Sequence, residues 1–282
     1  MTNLIDYGCH RTVVNTAHRT PKPAGSEIMS GRRSRERQIV AVIAARGGSK
    51  AIPNKNIKSF CGKPLIAWTI ESALASKVAD RVLVTTDDPK IQRVARQYGA
   101  EARFLRPKRL ATARMGLEPV LRHAFEWLRD HEQYRADVLL LLPATNPLRQ
   151  PFHISEAVQL FLRKKADSVV AVHETPANYT PFWTLVKPKS GRVTLFNGKN
   201  LKTMYTQRQD FPLRCYTRND LIYVLRPENL FQKPPNLYGD RVELYVTSSI
   251  YDGDINGEDD WKLTEIRFRQ LSSVKGPSVS WR

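Results

Sequence analysis

The sequence predicts an α/β fold with a mostly parallel sheet, and three observations carry that expectation. Apolar runs of strand length alternate with segments of helical period from Ile39 onward. That βαβ succession requires helices on both faces of a sheet whose strands run largely the same way. The stretch Phe182 to Arg214 breaks the rhythm with turn dipeptides at Ser190-Gly191 and Asn197-Gly198, which reads as a small hairpin excursion. In order, Ile39 to Ala45 is a strand, Leu65 to Ala75 a helix, Arg81 to Thr85 a strand and Ile91 to Tyr98 a helix. Met115 to Leu128 (helix), Val138 to Leu142 (strand), Ile154 to Leu162 (helix) and Ser168 to Val172 (strand) continue the alternation. Leu221 to Leu225 and Glu243 to Val246 resume strand character, and Trp261 to Leu271 closes the chain as a helix. Ligands of such sheets bind at the carboxyl ends of the strands. Asp88 before Pro89 reads as a helix N-cap, Cys61 as a buried thiol, and Trp68, Trp127, Trp183 and Trp261 as core anchors.

The 282 residues are 41% hydrophobic and 26% charged, which excludes a mainly disordered chain. Lys and Arg number 45 against 27 Asp and Glu, and a net charge of +18 points to polyanionic partners: nucleic acid, an anionic surface or phosphorylated substrates. Three cysteines, Cys9, Cys61 and Cys215, form neither an even set nor a metal-type pair, which fits a reducing cytoplasm. No run approaches the roughly 18 apolar residues of a membrane helix, so no membrane insertion is expected. Residues 1–37 lack hydrophobic period and end in Arg32, Arg33, Arg35 and Arg37, and read as a flexible basic leader before a domain spanning 38–282. Met29 lies just upstream of that domain, so residues 1–28 are either a functional arm or precede the true start.

Chemistry concentrates first in Ala45-Arg-Gly-Gly-Ser-Lys50, directly after the first strand. Gly47 and Gly48 let the backbone approach an oxyanion, and their N–H groups with the Ser49 hydroxyl can meet phosphate oxygens. Arg46 forks across two oxygens while Lys50 acts as a point charge, a pair suited to a triphosphate whose leaving half gains charge. Asp252 and Asp254 alternate on an extended segment, so both carboxylates can face one hard cation. The same Asp252-Gly-Asp-Ile-Asn-Gly257 composition also suits a solvated acidic turn.

The segment Val42-Ile-Ala-Ala-Arg-Gly-Gly-Ser-Lys-Ala-Ile-Pro-Asn-Lys-Asn-Ile57 resembles the nucleotide signature of the acylneuraminate cytidylyltransferase family, which includes CMP-sialic acid and CMP-Kdo synthetases. Thr85-Thr-Asp-Asp88, Phe104-Leu-Arg-Pro107, Pro147-Leu-Arg149, Asn219 and Asp252-Gly-Asp254 follow in family order. The resemblance implies a Rossmann-like nucleotidyltransferase that joins CTP to a sialic or related nonulosonic acid and releases pyrophosphate. It implies that Arg46, Ser49 and Lys50 hold the triphosphate, that Lys55 and Asn56 complete the nucleotide pocket, and that Arg106 reaches the cytosine. It implies further that Arg208, Gln209 and Asn219 meet the acidic sugar and that Asp252 and Asp254 bind Mg2+. Relatives form dimers in which the excursion, residues 182–214 here, covers the other subunit's sugar site. No residue is an obvious general base; a metal-bound water or hydroxyl, or an Asp252 or Asp254 carboxylate, could take the proton. Transfer of another nucleotide or onto another sugar acid is the neighbouring reading. A basic nucleic-acid-binding protein without catalysis is the one outside the class, though no binding motif accompanies the charge.

Three departures matter. Leu142-Pro-Ala-Thr-Asn-Pro-Leu-Arg149 puts Pro143 where relatives carry a glutamine that reads cytosine, Ala113-Arg-Met-Gly116 replaces an acidic and Ser/Thr-rich stretch, and Asn219-Asp-Leu221 replaces Asn-Gly-Ala. A proline side chain makes no hydrogen bond, and one lost paired contact costs on the order of 1 to 3 kcal/mol. Discrimination of CTP from UTP is therefore expected to rise roughly ten- to a hundredfold in Pro143→Gln. Comparing kcat/KM for the two nucleotides tests this; rejection of UTP by more than about ten-thousandfold in the wild type overturns it.

Overall fold

A computed structural model describes residues 37–189 and 191–273. The leader reading, Arg37 apart, lies outside the described residues, as does Ser190 of the expected first turn. Ten strands lie among the described residues: β1 (Ile39–Ala44), β2 (Ser59–Phe60), β3 (Lys63–Pro64), β4 (Arg81–Thr85), β5 (Val138–Leu141), β6 (Ser168–Glu174), β7 (Leu185–Val186), β8 (Thr194–Leu195), β9 (Tyr216–Leu225) and β10 (Val242–Val246). Five α-helices lie among the described residues: α1 (Leu65–Ser76), α2 (Pro89–Gln97), α3 (Leu117–Glu132), α4 (Pro151–Lys164) and α5 (Glu258–Ser273). Six strands form one sheet in the order β10-β6-β9-β5-β1-β4. Pairings β1/β4, β1/β5 and β6/β10 are parallel, and only β9 runs against its neighbours β5 and β6.

Alternation along β1 shows why the sheet is covered twice. Ile39, Ala41 and Ile43 pack with α1 and α4 residues such as Ile66, Ile70, Ile154 and Phe161. Val40 and Val42 pack on the other face with Leu121, Ala124 and Leu128 of α3. Both sets are buried, so a strand that reads as apolar throughout is what this position requires. A third cluster, Ile52, Phe60, Leu65, Trp68, Ile255 and Trp261, fastens the segment after β1 and the start of α5 to the N-terminus of α1.

Asp88 caps α2 as expected, its Oδ1 accepting the Lys90 N–H at 2.7 Å. Other expectations need correction. Trp68 and Trp261 are core anchors, but Trp127 is only half-buried, packed against the edge of the core beside Phe104 and His131, and Trp183 is half-buried against Phe211 within the excursion. Cys61 is half-buried at a turn with φ 47, and like Cys215 it is a free thiol. The excursion contains the β7/β8 hairpin, but Asn197-Gly198 turns the chain after β8 instead of joining the two strands. Strand β9 begins at Tyr216, five residues before the apolar run.

Arg149 holds the carboxyl end of β5 in place. This fully buried guanidinium donates from Nη2 to the Pro143 carbonyl at 2.8 Å and from Nη1 to Thr69 Oγ1 at 2.9 Å. Its Nε donates to the Leu221 carbonyl. One side chain thus ties the loop after β5 to α1 and β9. Burial pushes its pKa down to about 9, with the carboxylates of Asp220 and Asp254 opposing that fall.

Candidate active site

The loop after β1 is folded by polar contacts to the neighbouring strand end. Ala45 N–H donates to the Thr85 carbonyl at 3.1 Å, and Gly47 N–H donates to Asp87 Oδ1 at 3.0 Å. A Cβ at Gly47 would stand 2.8 Å from the Asp88 side chain, so the close approach needs glycine there. Asn56 is 6% exposed and its Nδ2 donates to the Arg46 carbonyl at 3.0 Å, closing the loop on itself. Lys55 Nζ donates to the Ile255 carbonyl at 2.7 Å. Burial lowers the Lys55 pKa, with the Arg46 charge adding to the fall and Asp254 opposing it.

A cavity of about 220 Å³ opens at the carboxyl ends of β1 and β5. Arg46, Ser49, Lys55, Asn56 and Arg106 line it together, along with Thr145. Leu110, Met115 and Val120 supply an apolar wall. Arg106 is 5% exposed; its Nη1 reaches the Thr85 carbonyl at 3.5 Å and its Nη2 lies 3.8 Å from Asp87. Burial lowers its pKa against the pull of Asp87. Arg106 Nε and Asn56 Oδ1 are buried without hydrogen-bond partners, one donor and one acceptor among residues that line this cavity.

The remaining expected residues fall differently. Lys50 is exposed and lines no part of the cavity, and Gly47 spends its N–H on Asp87 instead of presenting it to a ligand. Pro143 is also absent from the lining, and its carbonyl accepts from Arg149; Thr145, two residues on, reaches the cavity. Asn219 is 1% exposed: its Nδ2 donates to Thr247 Oγ1 at 2.8 Å, and its Oδ1 accepts from the Leu221 N–H at 3.2 Å. Its side chain therefore ties β9 to the segment after β10. Asp220, the residue found in place of a family glycine, takes φ 49 and accepts a hydrogen bond from the Tyr223 hydroxyl. Aspartate is among the few side chains that tolerate this left-handed backbone.

Asp254 lies beside the cavity. Its Oδ1 accepts from Thr145 Oγ1 and its Oδ2 accepts from Asn256 Nδ2 at 2.7 Å. Burial raises its pKa, and the charge of Asp220 raises it further. Asp252 Oδ2 lies 4.0 Å from His173 Nδ1. Between the two carboxylates, a Cβ at Gly253 would meet Leu148 at 2.6 Å, so only glycine lets this backbone pack on the loop after β5. Among the described residues no three His, Cys, Asp or Glu side chains gather as a metal cage. Arg208 and Gln209 line a separate cavity of about 720 Å³ at the foot of the excursion, with Glu174, Phe211 and Arg214. Within one chain these two are not brought to the Arg46 cavity.

Thr145 stands out in no sequence pattern, and Asp87 does so only as one of the acidic pair ahead of α2. Both stand inside segments that carry the resemblance, at the carboxyl ends of β5 and β4, and that position was the available signal.

A mostly parallel sheet with a basic, glycine-containing loop at the end of its first strand, and a cation-lined cavity over it, defines a Rossmann-like nucleotidyltransferase. The cytidylyltransferase family model matches residues 40–252. A CMP-N,N'-diacetyllegionaminic acid synthase of Legionella pneumophila is 34% identical over 244 residues, 81% of this chain and 95% of that protein. The post-translational flagellin modification protein B of Campylobacter coli is 31% identical over 235 residues, 83% of this chain and 96% of its own. Among solved structures, a CMP:2-keto-3-deoxy-manno-octonic acid synthetase complexed with CTP shares the fold. Its TM-score is 0.59 at 18% identity, covering 83% of this chain and 99% of that one. The chain belongs to the acylneuraminate cytidylyltransferase family.

Proposed function

We propose that the protein joins CTP to the anomeric hydroxyl of a nonulosonic or related 2-keto sugar acid, giving the CMP-sugar and pyrophosphate. The observation that carries this reading is the cavity in which Arg46, Ser49, Lys55 and Arg106 converge at the strand ends. The sugar hydroxyl gives up its proton to water or to an Asp252 or Asp254 carboxylate, its oxygen bonds to the α-phosphorus as the bridge to the β-phosphate breaks, and Arg46 faces the charge that grows on the leaving pyrophosphate. The relative named for CMP-N,N'-diacetyllegionaminic acid supports the sugar class. Pyrophosphate release measured across four nucleoside triphosphates and a panel of 2-keto sugar acids tests the proposal. Turnover is expected with CTP and a nonulosonic acid, and its absence across the panel overturns the reading.

Asp252 and Asp254 fit a divalent cation. Burial and the neighbouring Asp220 disfavour the charged form of Asp254, and a cation would offset both. Two carboxylates suit magnesium, which completes its shell with substrate phosphates and water. Bound there, magnesium would draw charge from the α-phosphate. Asp252→Asn and Asp254→Asn are each expected to move half-saturation by magnesium to higher concentration. The shift should be at least the roughly tenfold that loss of even an outer contact costs. Activity titrations of both variants that overlay the wild type would leave the pair as a solvated turn.

A homodimer accompanies this reading. Arg208 and Gln209 line their own cavity, the excursion exposes Phe196 and Leu213, and Tyr179 is exposed just ahead of it. A second copy covering that surface would bring Arg208 and Gln209 to the partner's sugar. A cytoplasmic location suits the free thiols of Cys61 and Cys215. No helix among the described residues is long and apolar enough to cross a membrane.

A further inference from the structure

His173 ends the buried stretch of β6, where it pairs across the ladder with Thr217 of β9. It is 7% exposed, and its Nδ1 is buried with no hydrogen-bond partner. A buried nitrogen in that state has lost its hydration with no bond to offset the loss, so the position calls for a reason. Asp252 Oδ2 stands 4.0 Å away, too far for a hydrogen bond and near enough for side-chain rotation to close the gap. The backbone of Asp252 cannot supply that movement. Its N–H donates to the Ser249 carbonyl at 3.1 Å, and its carbonyl accepts from Arg267 Nη1. The carboxylate itself is about one-third exposed and free to turn.

We infer that His173 is a positioning residue for Asp252: its Nδ1–H donates to Oδ2 and so turns the other carboxylate oxygen toward a divalent cation. The chemistry is that of an outer-shell donor, which fixes a carboxylate ligand in one orientation and strengthens its hold on a hard cation. Nothing in the step requires the imidazole to change its charge; the neutral ring with the proton on Nδ1 suffices. The inference rests on the reading of Asp252 and Asp254 as a cation pair.

The test compares three substitutions by Mn2+ binding, followed by electron paramagnetic resonance on the full-length protein with a non-hydrolysable CTP analogue. The amide nitrogen of His173→Asn stands near the place of Nδ1, whereas that of His173→Gln stands near the place of Nε2. His173→Leu is expected to weaken Mn2+ binding roughly tenfold, His173→Gln to behave like it, and His173→Asn to stay near the wild type. Thermal melts of the same variants separate loss of a contact from loss of the fold. Should Leu destabilise the protein, the Asn and Gln pair still decides the matter, since both are polar and they differ in reach. Wild-type affinity in His173→Gln, or weakened affinity in a folded His173→Asn, overturns the inference alone. A wild type that binds no Mn2+ overturns the cation pair and this inference together.

Discussion

Arg46→Ala is expected to lower turnover by roughly two to three powers of ten, about 3 to 4 kcal/mol of transition-state stabilisation. Stability should change by no more than about 0.5 kcal/mol, because the half-exposed guanidinium makes no ion pair or side-chain hydrogen bond among the described residues. Its backbone carbonyl, which holds Asn56, survives the substitution. This separation of activity from stability distinguishes a ligand-facing cation from a structural one. Initial rates of pyrophosphate release, set beside a thermal melt, measure both quantities. A folded Arg46→Ala protein with near-wild-type turnover would remove Arg46 from the chemistry.

Arg149 should give the opposite signature. In Arg149→Lys a single compact ammonium replaces a planar fork whose three donors reach the carbonyls of Pro143 and Leu221 and the hydroxyl of Thr69. At least one buried acceptor loses its donor, at roughly 1 to 3 kcal/mol, and a more strongly hydrated cation must be buried in the guanidinium's place. A combined loss of about 3 kcal/mol is expected, read as a lower urea midpoint. Turnover should fall as well, since the loop that Arg149 anchors carries Thr145, the hydrogen-bond donor to Asp254. An unchanged midpoint would show that the clamp is dispensable.

The strands β1, β4 and β5 were legible because burial on both faces leaves an unbroken apolar signature. The first half of β9 was not: Tyr216, Thr217 and Arg218 are exposed, and a strand that has not yet entered the core carries no such signature. The same contrast divides the site. The cations on the loop after β1 were readable because a strand end followed by glycines and basic residues has few other uses. Asp87 was readable only as an acidic neighbour of a cap, since its acceptor role toward Gly47 depends on how two strand ends meet in space. His173 stands in no metal-ligand spacing in the sequence, and such spacing is blind to a residue that acts on a ligand instead of serving as one. Pro143 shows the reverse: the substitution is plain in the sequence, while the turning of its carbonyl to Arg149 appears only in three dimensions.

The placement of β9 also bears on how the chain assembles during synthesis. Strands β1, β4 and β5 leave the ribosome early and can pair among themselves. Strand β6, with its run of Val169, Val170, Ala171 and Val172, has no partner among them; both its neighbours, β9 and β10, emerge only after the whole excursion. An apolar strand with two unpaired edges must therefore wait while the intervening segment is translated, and that interval is when strand-to-strand association between nascent chains competes with folding. Yield of native protein from overexpression should for this reason respond to translation speed and to chaperone supply more than the stability of the finished fold would suggest.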